Sequence, residues 1–471
     1  MKKLFFFLFL FFINSTFSNT IYEIKLEKSE KLESTYTAEI GNGNTIHFMI
    51  IKNTSSKDFS LVPLLVDSNK NVKKMDSFTS KKTINIISYH LNNDTATIIA
   101  FDADNKQLQF IDFDLSTGKN KSSSQESKTI PDNIFRLKNK TLLVSFDKKE
   151  NQINIKSVTD SNQIEQTQIT IPKDKIKLFD NLTNEIPEAI NQEEFVEKGS
   201  ISKRKAYFYN NNLIYTFEKN KNETQLFNFN LKETKDFVHS SINLDFTKEI
   251  KDVSNYFYDN KIVFLGVEKQ NITLKIFDAS SLKQIGKISA DNDLNAVIKS
   301  DVLSDYIKTA LKSSIKSTIT INKTKSNQLA IHLDNVKETD YHYNYNWYFT
   351  IWFFQQQMMM QQQMMQQQVR MNTTRSFGPS PENYCISDIV FETKKYSSIE
   401  FILTSNFTIA AKESVETIYP KIDKEKFIDK YKDDNTIKNF TSGFTTDEVR
   451  IIYQDSKSKT IIVSTEKLTQ E

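Results

Sequence analysis

Residues able to hold a metal or move protons are few and scattered in this chain of 471 residues. The five histidines, His47, His90, His239, His332 and His342, form no HExxH pair and no pair at helical spacing. A catalytic zinc ordinarily takes three protein ligands, and the sequence singles out no third partner. His47 and His332 occupy similar positions in two β-rich segments, where each ring either faces a common axis or packs on a half-buried strand. Carboxylates stand close together at Asp102/Asp104, Asp112/Asp114 and Asp433/Asp434, in or beside turns where a cation or plain solvent would satisfy them. The one cysteine, Cys385, excludes an internal disulfide and reads as a strand residue in YCISDIVF. No Walker loop, dinucleotide fingerprint, GxSxG elbow or EF-hand loop is present. With 8 glycines, the chain has little from which to build a phosphate cradle. The expectation is no catalytic residue, no metal ligand and no cofactor.

Two stretches stand out instead. Residues 341–354 read YHYNYNWYFTIWFF and contain both tryptophans. As a strand they place Tyr341, Tyr343, Tyr345, Trp347, Phe349, Ile351 and Phe353 on one face, and His342, Asn344, Asn346, Tyr348, Thr350, Trp352 and Phe354 on the other. Such a strand either packs inside a sheet repeat or belongs to a projecting hairpin that offers aromatic surface to a glycan or protein. Under the second reading Tyr341, Tyr343, Tyr345, Trp347 and Trp352 are the contact residues. The tract 355–368, QQQMMMQQQMMQQQ, admits three readings: a low-complexity loop, a Met-faced helix that docks on a partner, or a thioether site for Cu(I).

The elements that would position these residues are short hairpins. Apolar β-rich runs pair across polar turns at 45–52 with 59–67, 96–101 with 108–113, 141–146 with 152–158, 213–217 with 225–229, and 262–267 with 273–277. A sixth unit starts at 328–333. A seventh is expected at 399–403 with 407–411, and the last at 449–453 with 460–464. The repeat near 48 residues is close to one propeller blade. All-β architecture follows: a β-propeller of seven or eight blades with short helical and low-complexity insertions. The final blade lacks one strand, which 21–26 (IYEIKL) would supply, since closure removes exposed edges. Two separate β-domains joined near 172–205 are the alternative, against which the even spacing on both sides argues. Asp114-Leu115-Ser116-Thr117-Gly118-Lys119 resembles the strand-to-turn signature of quinoprotein-type and related bacterial propellers, over one turn of one repeat. Insertions fall at about 177–199, 298–316, 355–380 and 412–440. The first reads as an acidic loop with one helical turn. Within the second, 301–315 has an apolar helical face, and 422–433 suggests a short charged helix.

Phe (36) and Tyr (18) are abundant enough to fill a core, and Asn, Asp and Ser take turn positions that glycine fills elsewhere. A net charge of +3 provides no global field for nucleic acid or anionic membrane. Residues 1–18 combine Lys2 and Lys3 with a ten-residue apolar run and small residues, the pattern of a secretory signal, and that run is too short to span a bilayer. Residues 19–471 would then be the propeller, exported to a periplasm, cell surface or medium, with no stable membrane insertion and no nucleic-acid partner. The sequence favours a non-catalytic binding or scaffolding module for a protein or glycan. The alternative is a propeller-type hydrolase or lyase with its site at the central channel.

Overall fold

A computed structural model of the chain describes residues 19–337 and 395–468, apart from 42, 93, 194–195, 197–198, 233–236, 248, 411–416, 418–430, 432–433, 435 and 446. The described residues are mostly strand, gathered into seven sheets. In chain order, β1 (Asn19–Lys25) precedes the first sheet, which consists of β2 (Glu30–Gly41), β3 (Asn44–Asn53), β4 (Phe59–Val66) and β5 (Val72–Lys74), with β6 (Phe78–Ser80) also on β4. The second sheet is β7 (Asn85–Asn92), β8 (Thr95–Asp102), β9 (Gln107–Asp114) and β10 (Asn120–Glu126). The third is β11 (Asn133–Leu137), β12 (Lys140–Asp147), β13 (Gln152–Val158) and β14 (Ile164–Thr170). After helix α1 (Ile176–Thr183), a fourth sheet follows: β15 (Glu188–Ala189), β16 (Arg204–Tyr209), β17 (Asn212–Asn220), β18 (Glu223–Asn230) and β19 (Val238–Asn243). The fifth sheet is β20 (Asp252–Tyr258), β21 (Lys261–Val267), β22 (Ile272–Asp278) and β23 (Gln284–Ser289). Helix α2 (Ser300–Ala310) leads to the sixth: β24 (Ile315–Lys323), β25 (Leu329–Lys337) and β26 (Lys395–Leu403). The seventh is β27 (Ile437–Phe444), β28 (Glu448–Asp455) and β29 (Thr460–Lys467), to whose open edge β1 adds antiparallel.

Each of the first five hairpins read from the sequence forms two neighbouring inner strands of a sheet. In β21 the whole run Ile262 to Val267 is buried, Gly266 included, so both faces of the strand are covered. The strand 21–26 does join the last sheet, pairing Tyr22 with Val463 and Ile24 with Ile461. Two expectations need correction. The sixth and seventh hairpins are one sheet: 399–403 lies in β26 and pairs along β25, while among the described residues 407–410 contributes a turn and the bridge Leu403–Ile409. The helix expected over 301–315 stops at Ala310, and Ile315 opens β24. Leu303, Tyr306, Ile307 and Ala310 are buried on it, but Val302 and Leu311 are exposed.

Six turns share one pattern. An Asp or Asn ends a strand, its Oδ1 accepts the N–H groups two or three residues on, and the fifth residue takes positive φ. This holds at Asn53–Lys57, Asp102–Lys106, Asp147–Asn151 and Asp455–Lys459. Asp114–Gly118 and Asp278–Leu282 share the bond from the third residue on and the positive φ. The DLSTGK turn is therefore one instance of turn chemistry used throughout the chain. Glycine is used once in these six, and lysine three times.

The chain divides into two compact units, Met1–Thr79 with Asp434–Glu471, and Ser80–Asp433. In the first unit Leu32, Met49, Val62 and Leu64 share a core with Ile452, Ile461 and Val463. In the second unit apolar clusters join neighbouring sheets, with α1 packed into one and α2 into another.

Candidate functional site

Tyr341, Tyr343, Tyr345, Trp347 and Trp352 lie outside the described residues, as do Cys385, His342, the Gln/Met tract and residues 1–18. What the structure does describe is the frame around 338–394. β25 and β26 pair directly from Leu329–Leu403 to Val336–Lys395, so the whole segment enters and leaves at one end of an intact strand pair. Most consecutive antiparallel strands are joined by turns of a few residues, such as Asn210-Asn211 and Asp259-Asn260, both with positive φ at each position.

The described histidines serve packing. In the first unit, His47 is fully buried between the hydroxyls of Thr37 (2.7 Å from Nδ1) and Thr45 (3.4 Å from Nε2). Burial, and secondarily the Arg450 guanidinium, push its pKa down to about 3, so the ring stays neutral. In the second unit, His90 bridges the second and third sheets through Thr141 Oγ1 (3.0 Å) and the Thr159 carbonyl (2.9 Å). His239 packs against Phe227 with the two rings tilted by 46°. His332 faces its cross-strand partner Glu400, Nε2 to Oε1 3.4 Å. Among the described residues no group of three or more His, Cys, Asp or Glu is placed to hold a metal ion.

The paired carboxylates are turn and tie residues. Asp102 and Asp114 cap their own turns. Asp112 is buried, accepts from Thr97 Oγ1, Ser161 N and Ser161 Oγ, and has Lys121 Nζ at 3.4 Å, which ties the second sheet to the third. Asp434 accepts from Thr436, and Asp433 lies outside the described residues.

Two buried charge clusters escaped the sequence reading. In the first unit, Arg450 (1% exposed) donates to Glu448 Oε1 at 3.0 Å, to Thr45 Oγ1 at 3.3 Å and to the Val66 carbonyl at 2.6 Å. Lys70 reaches the other oxygen of Glu448 at 2.7 Å. In the second unit, Lys205 (1% exposed) lies between the fourth and fifth sheets. Its Nζ donates to Ser254 Oγ (3.2 Å) and the Asn255 carbonyl (3.0 Å), and stands 3.5 Å from Glu218 Oε1. Asn255 Nδ2 donates to Glu218 and its Oδ1 accepts from Thr216.

Glu188 completes this cluster. The parallel pair of β15 and β16 puts it directly opposite Lys205, so both side chains stand on one face. Ser200 Oγ donates to its Oε2. Burial pushes the Glu188 pKa up to about 7, against the opposing pull of the Ser200 hydrogen bond and the Lys205 charge. Burial also raises Glu218, with Lys205 drawing it back. Two carboxyls share one lysine, and a carboxyl that is half protonated near neutrality can give or take a proton. No linear motif announces this, because Glu188 and Lys205 meet through a two-residue parallel strand.

No protein-family model and no curated protein sequence matches the chain. Solved structures to which it is similar include the β-propeller domain of the trilobed protease from Pyrococcus furiosus, 8% identical over 93% of this chain and 97% of that one, with a TM-score of 0.33. A prolyl endopeptidase is 8% identical over 93% of this chain and 51% of its own, at 0.35. Acylaminoacyl peptidase from Pyrococcus horikoshii is 9% identical over 64% and 45%, at 0.29. Likenesses this distant carry neither a fold nor an activity across to this chain.

Proposed function

We propose that the chain is a β-propeller whose sheets are blades, and that it works as an exported, non-catalytic binding or scaffolding module. Its contact element is the segment 338–394, with Tyr341, Tyr343, Tyr345, Trp347 and Trp352 meeting a protein or glycan. One observation carries this reading: β25 and β26 are hydrogen-bonded to each other over their length, so their pairing is made without the segment between them. A long aromatic insertion at the tip of a finished hairpin is surplus to that hairpin, and rigid sheets commonly present binding residues on such connections. The repeated four-stranded antiparallel meander supports the blade reading.

The test replaces 338–394 with Asn-Gly, a two-residue hairpin turn. The variant should keep its β-type circular dichroism and melting temperature, scatter as one compact body of radius of gyration about 21 Å, and lose retention on a glycan array or co-purifying protein. A much larger radius would favour two separate β-domains. Unfolding of the variant, or undiminished binding, overturns the assignment of the segment. Export predicts an intact mass beginning near Asn19, and retention of residues 1–18 in exported material contradicts it. The catalytic alternative, a hydrolase or lyase, gains from the Glu188–Lys205–Glu218 cluster, and hydrolytic turnover abolished by Glu188→Gln would establish it.

A further inference from the structure

Lys205 of β16 and Asn255 of β20 face each other between the fourth and fifth sheets, and Glu218 of β17 touches both. Its Oε1 accepts from Asn255 Nδ2 at 2.5 Å and stands 3.5 Å from Lys205 Nζ, so amine and carboxamide meet at one carboxylate oxygen. Nζ also donates to the backbone carbonyl of Asn255 itself at 3.0 Å, which holds it against that residue. The amide's orientation follows from its partners: a carboxylate accepts from Nδ2, and the Thr216 hydroxyl donates to Oδ1 at 2.9 Å. Little water reaches the group. Lys205 is 1% exposed, Asn255 and Thr216 are fully buried, and the Glu218 side chain is 11% exposed. Tyr207, next on the same face of β16, packs its ring on Tyr256 and Phe257, the two residues after Asn255.

These four groups are the parts of an amide transfer: a nucleophilic amine, a carboxamide, a general base and a donor for the developing oxyanion. Burial raises the Glu218 carboxyl, with Lys205 drawing it back, which suits it to accept the ammonium proton. We infer that Lys205 and Asn255 become joined by an isopeptide bond, made by the chain itself with Glu218 as its acid–base residue. Glu218 first takes a proton from the ammonium and leaves a free amine. The Nζ lone pair then forms a bond to Asn255 Cγ, and the Thr216 hydroxyl holds the charge that develops on Oδ1. Glu218 gives its proton to Nδ2, the Cγ–Nδ2 bond breaks, and Glu218 takes a second proton from Nζ. One ammonia leaves, one amide replaces another, and no oxidant or cofactor takes part. The bond ties two sheets together through residues 50 apart in sequence, which restricts the unfolded chain as a disulfide does. It consumes the Lys205 cation, so the ion pairs of this cluster belong to the chain before linkage. The reaction occurs once, on the chain itself, and does not depend on the proposed binding role.

Mass spectrometry of the full chain tests this. The wild type should weigh about 17 Da less than its sequence requires, the mass of one ammonia. Trypsin should release a branched peptide in which 205–219 is joined through Lys205 to Asn255 of 252–261. Lys205→Met and Asn255→Ala should each keep the full mass of their own sequence, and Glu218→Gln should link at least about a hundredfold more slowly. A wild type of full mass, or one whose ammonia loss persists in Lys205→Met, overturns the bond. Linkage of Glu218→Gln at the wild-type rate overturns the role of Glu218. Should the variants fail to fold, the wild-type digest decides alone: the branched peptide establishes the bond, and separate peptides 206–219 and 252–261 overturn it.

Discussion

The two buried charge clusters solve one problem with opposite stoichiometry. Around Glu448 two cations serve one carboxylate, Arg450 on one oxygen and Lys70 on the other. Around Lys205 one cation serves two carboxyls, Glu188 and Glu218. Burial, with the Arg450 charge adding to it, keeps nearby His47 neutral, whereas burial lifts Glu188 to about 7 against the pull of Ser200 and Lys205. Burial is the first cause of both shifts, and because it disfavours the charged form it lowers a histidine and raises a carboxyl, so opposite ends of the pH scale disturb the two clusters. In the first unit His47 is lowered from 6.5 to about 3, so the unfolded chain binds a proton that the fold refuses, and stability falls as pH drops below 6.5. In the second unit Glu188 has the reverse sign, and stability falls as pH rises from about 4.5 to 7.

Breaking the second cluster should have the largest effect. Lys205→Met leaves Glu218 and Glu188 without their shared cation, at a cost of about 3–5 kcal/mol at pH 8. At pH 5 both carboxyls can protonate, and the cost should drop to about half. Urea unfolding at the two pH values checks it, and an equal loss at both would mean the lysine neutralises neither carboxyl. Arg450→Met is the contrasting change. Glu448 keeps Lys70, so about 2–3 kcal/mol is expected, mostly for the donors lost to Thr45 and Val66, and nearly the same at pH 5 and pH 8. A strong pH dependence here would erase the distinction between the clusters. Next comes His47→Gln. Wild-type stability of the first unit should fall by about 2 kcal/mol from pH 7 to pH 5 through this residue, and the variant should lose that slope. Thermal unfolding of the pair across this range gives the answer.

Sequence reading located the middle strands of most sheets because both strands are buried apolar runs of the same short length, as in 262–267 and 273–277. It missed outer strands such as β10 (NKSSSQE), which is polar at every position and carries little pattern. The first residue of β24 falls in the expected helix because Ile315 continues the i, i+4 spacing of Ile307 and Leu311, whereas the chain turns at Leu311–Lys312. The clusters were illegible for a different reason. Lys205 sits in KRKAYFY, a run that reads as a solvated basic start to a strand, and only the neighbouring sheet's Ser254 and Asn255 show that it is buried. Arg450 likewise follows Asp447 and Glu448, as surface charges often do.

The smallest expected effect compares the two units at a matched turn. Asp455–Lys459 in the first and Asp114–Gly118 in the second close with the same bonds: the fifth N–H to the Asp carbonyl at 2.8 and 2.7 Å, and the fourth N–H to Asp Oδ1 at 2.6 and 2.8 Å for Ser458 and Thr117. Both fifth residues have positive φ, +58° for Lys459 and +81° for Gly118. A lysine there bears the Cβ clash of the left-handed region, about 1 kcal/mol, which glycine avoids while losing more chain entropy on folding. Gly118→Lys should therefore cost about 1 kcal/mol, and Lys459→Gly should gain about half that, because the entropy of the unfolded glycine offsets part of the relief. Opposite shifts in melting temperature, small and of unequal size, are the expected result. If Lys459→Gly instead destabilises, the lysine stem contributes packing that outweighs its backbone strain, and the two turns are equivalent in hydrogen bonding only.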